Sequence, residues 1–320
     1  MQVFRGHCPP AVAAAGAAVT IGNFDGVHRG HQAMLALLTN EARHRGLPSC
    51  VLTFEPHPRD FFAHKSGQPA LAPARVATLR AKLAELERCG IARVVVARFD
   101  TRFSSQSPQA FIDDVLLQGL GARYVLVGDD FRFGAKRAGN YQMLDEAGSR
   151  AGFDVARMNS YEVHGLRVSS SAVREALAAG DMQRTAALLG RPYSISGHAV
   201  HGAKLGRELG FRTLNLRFPH PKPAAMGIFV VRVHGLVDGR PLPGVASLGV
   251  RPTVDNSGRV LLETHCLEWP LALEAGYGRL LRVELLHKLH DELKYDSLDT
   301  LRGGIARDTQ AARDWFAARS

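Results

Sequence analysis

Two histidines three residues apart stand in segment 22–31, which reads Gly-Asn-Phe-Asp-Gly-Val-His-Arg-Gly-His. If a helix begins here, His28 and His31 face the same point beside its first turn. The three glycines let the backbone approach a ligand closely, and the N–H groups at a helix start attract phosphate. Taken alone, the pair predicts only two solvated histidines. Together with the glycines, it is interpreted as a site that holds a nucleotide triphosphate and stabilises charge at the reacting phosphorus.

Segment 167–174 is a second candidate phosphate contact, with the sequence Arg-Val-Ser-Ser-Ser-Ala-Val-Arg. Ser170 and Ser171 can cap a helix and offer hydroxyl donors. Arg174 adds a fixed positive charge that can bind phosphate through two parallel hydrogen bonds. By itself this pattern is an ordinary helix start. Its functional interpretation depends on its acting together with the histidine pair, from the far end of the same sheet.

Two further polar segments follow predicted strands. Segment 55–58, Glu-Pro-His-Pro, is a stiff turn whose plain interpretation is loop rigidity. Segment 128–134, Gly-Asp-Asp-Phe-Arg-Phe-Gly, places Phe131 and Phe133 on a turn. Their rings can stack on a flat heteroaromatic substrate, and burial of both rings in the core is an equal alternative.

The elements that would position these segments alternate between strand and helix in the first part of the chain. Continuous apolar runs predict strands over 18–21, 50–54, 94–96, 124–127 and 153–158, and helical periods lie between them, over about 32–45, 76–90, 110–117 and 141–150. This alternation predicts a parallel sheet that is buried on both faces and binds ligands beyond the carboxyl ends of its strands. The apolar stretch 11–21 is too short to span a bilayer, and we expect an opening strand there in place of a signal peptide.

The second part has a different pattern. A short helix capped by Asp181 ends at Gly190, and mainly short strands follow Pro192. The predicted strands cover 194–200, 227–233, 245–248, 260–267 and 280–286, with a hairpin signal at 237–239. Many short strands of this kind predict a closed or nearly closed barrel, which a last amphipathic helix over 297–316 would cover. We place the boundary between the two parts near residues 188–191.

Composition limits the classes of function. The 320 residues are 46% hydrophobic and 22% charged, which is typical of a globular protein and excludes a disordered or collagen-like chain. The net charge is +10, the basic excess is equal in 1–188 and 189–320, and no basic run exceeds a pair. This even spread favours phosphorylated small molecules over nucleic acid as partners. No stretch predicts a membrane span, and four widely spaced cysteines are typical of a reduced, cytoplasmic protein.

Eight segments in order, covering nearly the whole chain, resemble the bifunctional bacterial riboflavin kinase/FAD synthetase family. The first part contains GNFDGVHRGH, TFEPHP, GDDFRFG and RVSSSAVR, and the second contains SGHAVHGAKLGRELGFRTLNL, GVASLGVRPTVD, LLETH and ELLHKLHDELKYDSLDTLRGGIARD. The resemblance implies an α/β + β fold: a Rossmann-like nucleotidylyltransferase domain over 1–188 with a parallel sheet, then a small antiparallel riboflavin-kinase-like β-barrel with a C-terminal helix over 189–320.

The resemblance implies two successive reactions. The second part would transfer the γ-phosphate of ATP to riboflavin, giving FMN, and the first part would join FMN to the AMP part of a second ATP, giving FAD and pyrophosphate. In the first part His28 and His31 would hold ATP phosphates, and Asp130, Phe131 and Phe133 would meet the flavin. The implied nucleotide-binding residues of this part are Gly22, Asn23, Phe24, Asp25, Gly26, Arg167, Ser170, Ser171 and Arg174.

For the kinase part, the resemblance implies ATP contacts from Gly202 and Arg207 in a basic turn. Thr213 and Asn215 alternate on one side of an extended segment and offer oxygens suited to Mg²⁺. Glu263 alternates with apolar neighbours, is expected in the barrel mouth and would act as general base. Without the resemblance, these residues predict only a plain turn, a polar strand face and an exposed carboxylate.

One departure from the family pattern concerns Arg212, which stands where the family commonly has proline. The turn before Thr213 is then expected to be looser, or Arg212 itself to contact phosphate. Ser171 stands where threonine is frequent and keeps the hydroxyl. Two other functions are alternatives: a nucleotidylyltransferase for another phosphorylated small molecule with a non-catalytic carrier domain, and an RNA-binding module, which the lack of a concentrated basic patch disfavours.

Overall fold

The computed structural model describes residues 1–159, 161–163, 166–201, 210–220, 222–250, 260–269 and 276–319. The chain divides into two compact units. The first holds Met1–Pro73 and Lys82–Ser169, and the second holds Ala74–Ala81 and the chain from Ser170 onward. Each unit has its own sheet and is described by itself. The division of the two activities at residue 188 stays a prediction.

A six-stranded parallel sheet forms the centre of the first unit. Its strands are β1 (Gln2–Arg5), β2 (Ala17–Ile21), β3 (Ser49–Glu55), β4 (Arg93–Arg98), β5 (Ala122–Gly128) and β6 (Asp154–Met158), in the spatial order β1-β4-β3-β2-β5-β6. Every residue of β2 is buried, as expected for a parallel strand covered on both faces. The predicted parallel sheet is confirmed, and β1 is an edge strand not predicted from the sequence. A small antiparallel pair, β7 (Glu162–Val163) and β8 (Leu166–Arg167), follows β6.

The helices between the strands of the sheet are α1 (Pro10–Ala14), α2 (Arg29–His44), α3 (Pro58–Lys65), α4 (Leu79–Arg88), α5 (Thr101–Ser104), α6 (Pro108–Ala110), which continues as a π-helix over Phe111–Gly119, and α7 (Tyr141–Ala151), with short 3₁₀ turns at Pro69–Leu71 and Ala135–Arg137. The helix predicted over 32–45 begins three residues earlier and buries the predicted face, Leu35, Leu38 and Ala42. This start places the N-terminus of α2 directly after the glycine-containing loop.

The strand predicted over 11–21 is wrong in its first half. Pro10–Ala14 form α1, and only Ala17–Ile21 form β2. Proline at the first helical position and a run of alanines favour the helix, and Gly16, with φ of 74°, ends it.

A closed six-stranded antiparallel barrel forms the centre of the second unit. Its strands are β9 (Tyr193–Val200), β10 (Leu214–Phe218), β11 (Gly227–Val237), β12 (Arg240–Val250), β13 (Val260–Cys266) and β14 (Leu280–His290), in the closed order β10-β13-β12-β11-β14-β9. The predicted barrel is confirmed, including the hairpin between β11 and β12, whose register resumes at Val237 and Arg240.

In the described part of the second unit, three helices accompany the barrel: α8 (Ser170–Ala178), α9 (Met182–Leu189) and α10 (Leu298–Ala317). The caps predicted for α9 are present, since the Asp181 side chain accepts from the Arg184 N–H at 2.8 Å and Gly190 is left-handed. At the start of α10, Ser297 and Thr300 form a reciprocal capping box. Ala312 of α10 is fully buried against Val230 and Val245, which fixes α10 on one outer face of the barrel.

Two further expectations concern the whole chain. All four cysteines are free thiols, and burial raises the pKa of Cys50 and of Cys266 to about 12 each. Among the described residues, no helix combines the length and the apolar character needed to cross a membrane.

Candidate active sites

The loop between β2 and α2 is held in an unusual backbone conformation. Phe24 and Val27 have positive φ values of 49° and 41°, which side chains other than glycine rarely adopt. Such residues cost about 1–3 kcal/mol each and persist where their surroundings hold them. Both side chains are buried, at 1% and 0% exposure, so the hydrophobic core supplies that restraint. The loop therefore has a fixed shape at the carboxyl end of the central strand.

The two histidines form a stacked pair at the start of α2. Their ring centroids are 3.6 Å apart with 17° between the planes, and Phe24 lies 4.9 Å from the His31 ring. His28 caps α2, with its Nδ1 accepting the backbone N–H of His31 at 3.3 Å. Burial lowers the pKa of His31 well below its ordinary value, and the charges of His28 and Lys82 lower it further. His31 is therefore neutral near pH 7, and its buried Nδ1 has no hydrogen-bond partner among the described residues.

Other loop residues surround the pair. The Oδ1 atom of Asn23 is buried without a hydrogen-bond partner in the described part of the chain, while its carbonyl accepts from the Thr53 hydroxyl at 3.2 Å. Asp25 is buried, at 1% exposure. A Cβ atom added to Gly30 would stand 3.3 Å from Nδ1 of His28, so only glycine leaves the stacked pair in place.

The segment before α8 reaches the same place within the first unit. The Val168 carbonyl oxygen would lie 3.4 Å from a Cβ atom on Gly30, so this backbone borders the start of α2. Arg167 pairs with Asp129 at 3.7 Å and Asp130 at 3.6 Å, which ties the segment to the loop after β5. The structure thus brings the predicted residues Arg167 and Asp130 together.

The remaining predicted residues of this segment belong to the second unit. A helix does begin at Ser170, as predicted, with Ser171 exposed in its first turn. Arg174 Nε donates to the Ala74 carbonyl at 2.6 Å, a contact inside that unit. Their predicted role beside the histidine pair stays a prediction.

The two predicted aromatic residues after β5 have different surroundings. Phe133 is buried at 6% exposure and packs against Phe111, with centroids 5.4 Å apart. Phe131 is half-buried and stacks on Phe133 at 5.5 Å and 20°. Core burial therefore accounts for Phe133, and Phe131 is the ring with surface left for a ligand.

A cavity of about 300 Å³ lies between the barrel and α10 in the second unit. Glu263 lines it together with Thr213, Ser247 and His265. Glu263 shares its face of β13 with His265, whose register partner Val245 packs on α10. The carboxylate therefore opens onto the outer face beneath α10, whereas we expected it in the barrel mouth. The alternating pattern of the strand is unchanged, but its apolar face fills the barrel.

The predicted metal ligands lie next to Glu263. Asn215 of β10 and Ser247 of β12 are its direct cross-strand partners, so the three side chains leave the same face. Asn215 is 2% exposed, and its Oδ1 has no hydrogen-bond partner among the described residues. Thr213 lines the cavity two residues away. An orphaned amide oxygen beside a hydroxyl fits a cation that takes oxygen ligands and shares phosphates and waters.

Glu292 lines the same cavity, and Arg212 stands in the sequence between two lining residues, Phe211 and Thr213. The Arg212 side chain is exposed, and its carbonyl accepts from His265 Nδ1–H at 2.8 Å, which anchors the turn before Thr213. Burial lowers the pKa of His265, so this ring is the neutral donor. Glu292 accepts from the Ser247 hydroxyl at 3.0 Å, which places a second carboxylate beside Glu263. The predicted phosphate contacts Gly202 and Arg207 lie outside the described residues.

Comparisons with known proteins place the chain in a family. The FAD synthetase family matches residues 11–172, and the riboflavin kinase family matches residues 189–316. The bifunctional riboflavin kinase/FMN adenylyltransferase of Escherichia coli (strain K12) is 44% identical over 99% of this chain and 98% of its own. The chain belongs to this bifunctional family. Family members from Pseudomonas fluorescens (44% identity, 98% of this chain, 97% of that one) and Haemophilus influenzae (41%, 99% of both) are also similar.

A solved structure has the same architecture as this member of the bifunctional family. It comes from Streptococcus pneumoniae and is described as a macrolide-efflux protein. The TM-score is 0.79 at 25% identity, covering 98% of this chain and all of the other. The similarity supports the arrangement of a parallel-sheet unit followed by a barrel.

One buried residue of the adenylyltransferase part was missed from the sequence. Lys82 on α4 is 1% exposed, and its Nζ donates to the Thr53 hydroxyl at 3.2 Å. The signal was available, because Lys82 falls three residues after Leu79 and four before Leu86, on the apolar face of the helix. A lysine on the apolar face of a helix does not serve solubility, so its position calls for another explanation.

Proposed function

We propose that the second unit phosphorylates riboflavin with ATP to give FMN, and that the first unit adenylylates FMN with a second ATP to give FAD and pyrophosphate. The observation that carries this proposal is the pairing of a buried histidine pair after a parallel strand with a separate carboxylate-lined cavity on a barrel. Each lies in the region that matches the corresponding family.

In the adenylyltransferase site, the N-terminus of α2 and the histidine pair bind the ATP phosphates. A phosphate oxygen of FMN attacks the α-phosphorus, the bond from that phosphorus to the bridging oxygen breaks, and pyrophosphate leaves. His31, neutral near pH 7, donates an N–H to phosphate oxygens without itself changing charge. The enzyme contributes mainly position and charge stabilisation, as is usual in such transfers.

The flavin is proposed to lie against Phe131 at the loop after β5. Asp130 and Arg167, which pair at 3.6 Å, border that position. Ser170, Ser171 and Arg174 are proposed as further nucleotide contacts, together with the backbone of Gly22, Asn23, Phe24, Asp25 and Gly26. A half-buried aromatic ring suits contact with a flat isoalloxazine.

In the kinase site, Glu263 accepts the proton of the ribityl hydroxyl as that oxygen attacks the γ-phosphorus of ATP, and ADP leaves. Thr213 and Asn215 would hold a divalent cation, Mg²⁺ by oxygen preference, which when bound neutralises charge on the ATP phosphates. The apolar lining of the cavity (Ile228, Val245 and Leu261) accepts the flavin ring. Gly202 and Arg207 remain proposed ATP contacts.

The test is to incubate the purified protein with riboflavin, ATP and Mg²⁺ and to separate the flavins. The wild type should accumulate FMN and then FAD. His28→Ala with His31→Ala should stop the sequence at FMN. Glu263→Gln should lower FMN formation by about 10²–10⁴-fold, the usual contribution of a general base, while added FMN is still converted to FAD. Absence of both products, or loss of both activities in either folded variant, contradicts the assignment.

A further inference from the structure

Lys82 is a buried cation that the mechanism above does not use. Its side chain is 1% exposed, and its Nζ lies 3.2 Å from the Thr53 hydroxyl and 3.6 Å from Glu55 Oε1. Glu55 is 24% exposed, so the carboxylate reaches water while the ammonium does not. Removing an ammonium from water is costly, and apolar replacements of buried ion pairs are often neutral or stabilising. Fold stability alone is therefore a weak reason for a lysine here.

The Lys82 ammonium is connected to the nucleotide loop through Thr53. Thr53 is fully buried in β3, and its hydroxyl accepts from Lys82 and donates to the Asn23 carbonyl at 3.2 Å. Asn23 precedes Phe24, the first of the two residues with positive φ. A single chain of hydrogen bonds thus runs from α4 to the strained part of the loop.

The same ammonium acts on the histidine pair. Its positive charge is one of three causes that lower the pKa of His31, after burial and the charge of His28. The charges of His28 and Lys82 act on His31, Glu55 lies 3.6 Å from the Lys82 ammonium, and Asp25 is buried in the same loop. A positive charge beside a neutral imidazole also adds to the attraction for an anion.

We propose that Lys82 is a positioning residue of the adenylyltransferase site, which fixes the Asn23–Phe24 loop through Thr53 and sets a buried positive charge behind His31 toward the ATP phosphates. The proposal rests on the proposed function of this site. It separates two contributions, a hydrogen-bonded link to the loop and a charge beside the histidine pair.

Three variants separate these contributions. Lys82→Met removes both, Thr53→Val removes the link and keeps the charge, and Lys82→Arg keeps the charge. Arg88→Gln is the matched control, because it removes an exposed cation from the same helix. Each protein is assayed for FMN adenylylation (kcat and KM for ATP against pH) and for riboflavin phosphorylation, and its Tm is measured.

We expect Lys82→Met to lose about 100-fold in kcat/KM for FMN adenylylation, the scale of a misplaced catalytic group. Its riboflavin phosphorylation should stay within about twofold of wild type. Its Tm should change little, because the Glu55 carboxylate is 24% exposed and stays hydrated. In Lys82→Met the acid limb of the pH profile for FMN adenylylation should move to higher pH, because His31 protonates more easily without Lys82. Thr53→Val should lower the rate without moving this limb. Lys82→Arg should leave the limb at its wild-type pH, and Arg88→Gln should change neither the rate nor the limb.

Wild-type FAD formation with an unmoved acid limb in Lys82→Met would overturn the proposal. Parallel loss of both activities with a lowered Tm would overturn it too, because that pattern indicates a purely structural lysine. If Lys82→Met does not fold, the pKa of His31 is measured by NMR titration in Lys82→Arg and Thr53→Val. A changed His31 pKa in Lys82→Arg would then count against the proposal. If wild type makes no FAD, the proposed function fails, and the same titration with Lys82→Met still tests the charge effect.

Discussion

Replacing Gly30 by alanine adds a methyl group beside the histidine pair. Its carbon would stand 3.3 Å from both Cε1 and Nδ1 of His28 and 3.4 Å from the Val168 carbonyl oxygen. Atoms in favourable contact lie about 3.5–4.0 Å apart, so the His28 ring must move by a few tenths of an ångström. The ring does not move alone, because it stacks on His31 and accepts the His31 backbone N–H.

The Gly30 substitution should act on stability and catalysis in opposite directions. Gly30 lies in the first turn of α2, where alanine is favoured over glycine by up to about 1 kcal/mol. A misplacement of about 1 Å can cost about 100-fold in rate. A shift of a few tenths therefore predicts a loss of about tenfold in FMN adenylylation, equivalent to about 1.4 kcal/mol of transition-state stabilisation.

The assay compares both activities and the Tm of one preparation of Gly30→Ala. The matched control is Gly303→Ala in α10, where the nearest atom to the added methyl is Arg307 Nη1 at 3.6 Å. Gly30→Ala should slow FAD formation from FMN while Tm is held or raised and riboflavin phosphorylation is unchanged, and the control should leave both rates unchanged. Wild-type FAD formation in Gly30→Ala would refute the reasoning, as would equal losses in the two variants.

Two further predictions concern the kinase unit. Asn215→Leu removes the orphaned amide oxygen, so the Mg²⁺ concentration for half-maximal FMN formation should rise by about tenfold or more, and an unchanged Mg²⁺ requirement would argue against a ligand role. Burial lowers the pKa of His290, but its hydrogen bonds to Asp308 (2.8 Å) and to the Asp291 carbonyl (2.6 Å) raise it. The negative charges of the Asp308 and Asp291 carboxylates raise it further, so the pKa is raised overall. The stabilisation from this pair is complete below the unfolded pKa, near 6.5, and is lost as pH rises through the raised folded pKa. The Tm difference between wild type and Asp308→Asn should therefore shrink as pH rises, and a difference independent of pH would contradict this.

The parallel sheet and the barrel could be predicted because their signals are local. Apolar runs separated by helical periods mark β2 to β6, and the glycine turn at 237–239 marks the hairpin between β11 and β12. β1 carries no such signal, because only one of its four residues is even partly buried and its pairing with β4 is about 90 residues distant. An edge strand of this kind is defined by its partner and not by its own pattern.

Other differences between the predicted and the observed elements arose where two sequence signals compete in one segment. The apolar run 11–21 directly follows Pro10, which starts a helix, and has a β-rich end, so the helix takes its first residues and the strand its last. The stiff turn predicted at 55–58 also begins a helix: the ring of His57 caps α3 by accepting the Arg59 N–H at 3.1 Å, and Pro58 occupies its first position. In both places proline at a helix start outweighed the interpretation as strand or loop.

The site residues could be predicted where their spacing in the sequence already places them on one side of a helix or strand. The His28–His31 spacing and the Thr213–Asn215 alternation do so, and the structure places each pair on one side of its element. It was harder to predict which face of β13 lies inside the barrel. Alternation shows that Glu263 and its apolar neighbours point to opposite faces, but it does not show which face fills the barrel. Only α10, which arrives some 35 residues later, makes the outer face a cavity wall.

Buried polar atoms without a hydrogen-bond partner in the described part of the chain lie at both candidate sites. Asn23 Oδ1, His31 Nδ1 and Asn215 Oδ1 are each buried with no hydrogen-bond partner in the described part of the chain. A buried polar group left unpaired costs about 1–3 kcal/mol, and a folded chain usually satisfies it. All three lie where the sequence predicts phosphate or metal contacts, two in one unit and one in the other. A nucleotide phosphate accepts from His31 Nδ1 when that nitrogen carries the ring proton, and Asn215 Oδ1 suits a phosphate-bound cation. Asn23 Oδ1 is an acceptor and needs a donor, such as a hydroxyl or amino group of the nucleotide. Both units should therefore gain stability when ATP and Mg²⁺ bind.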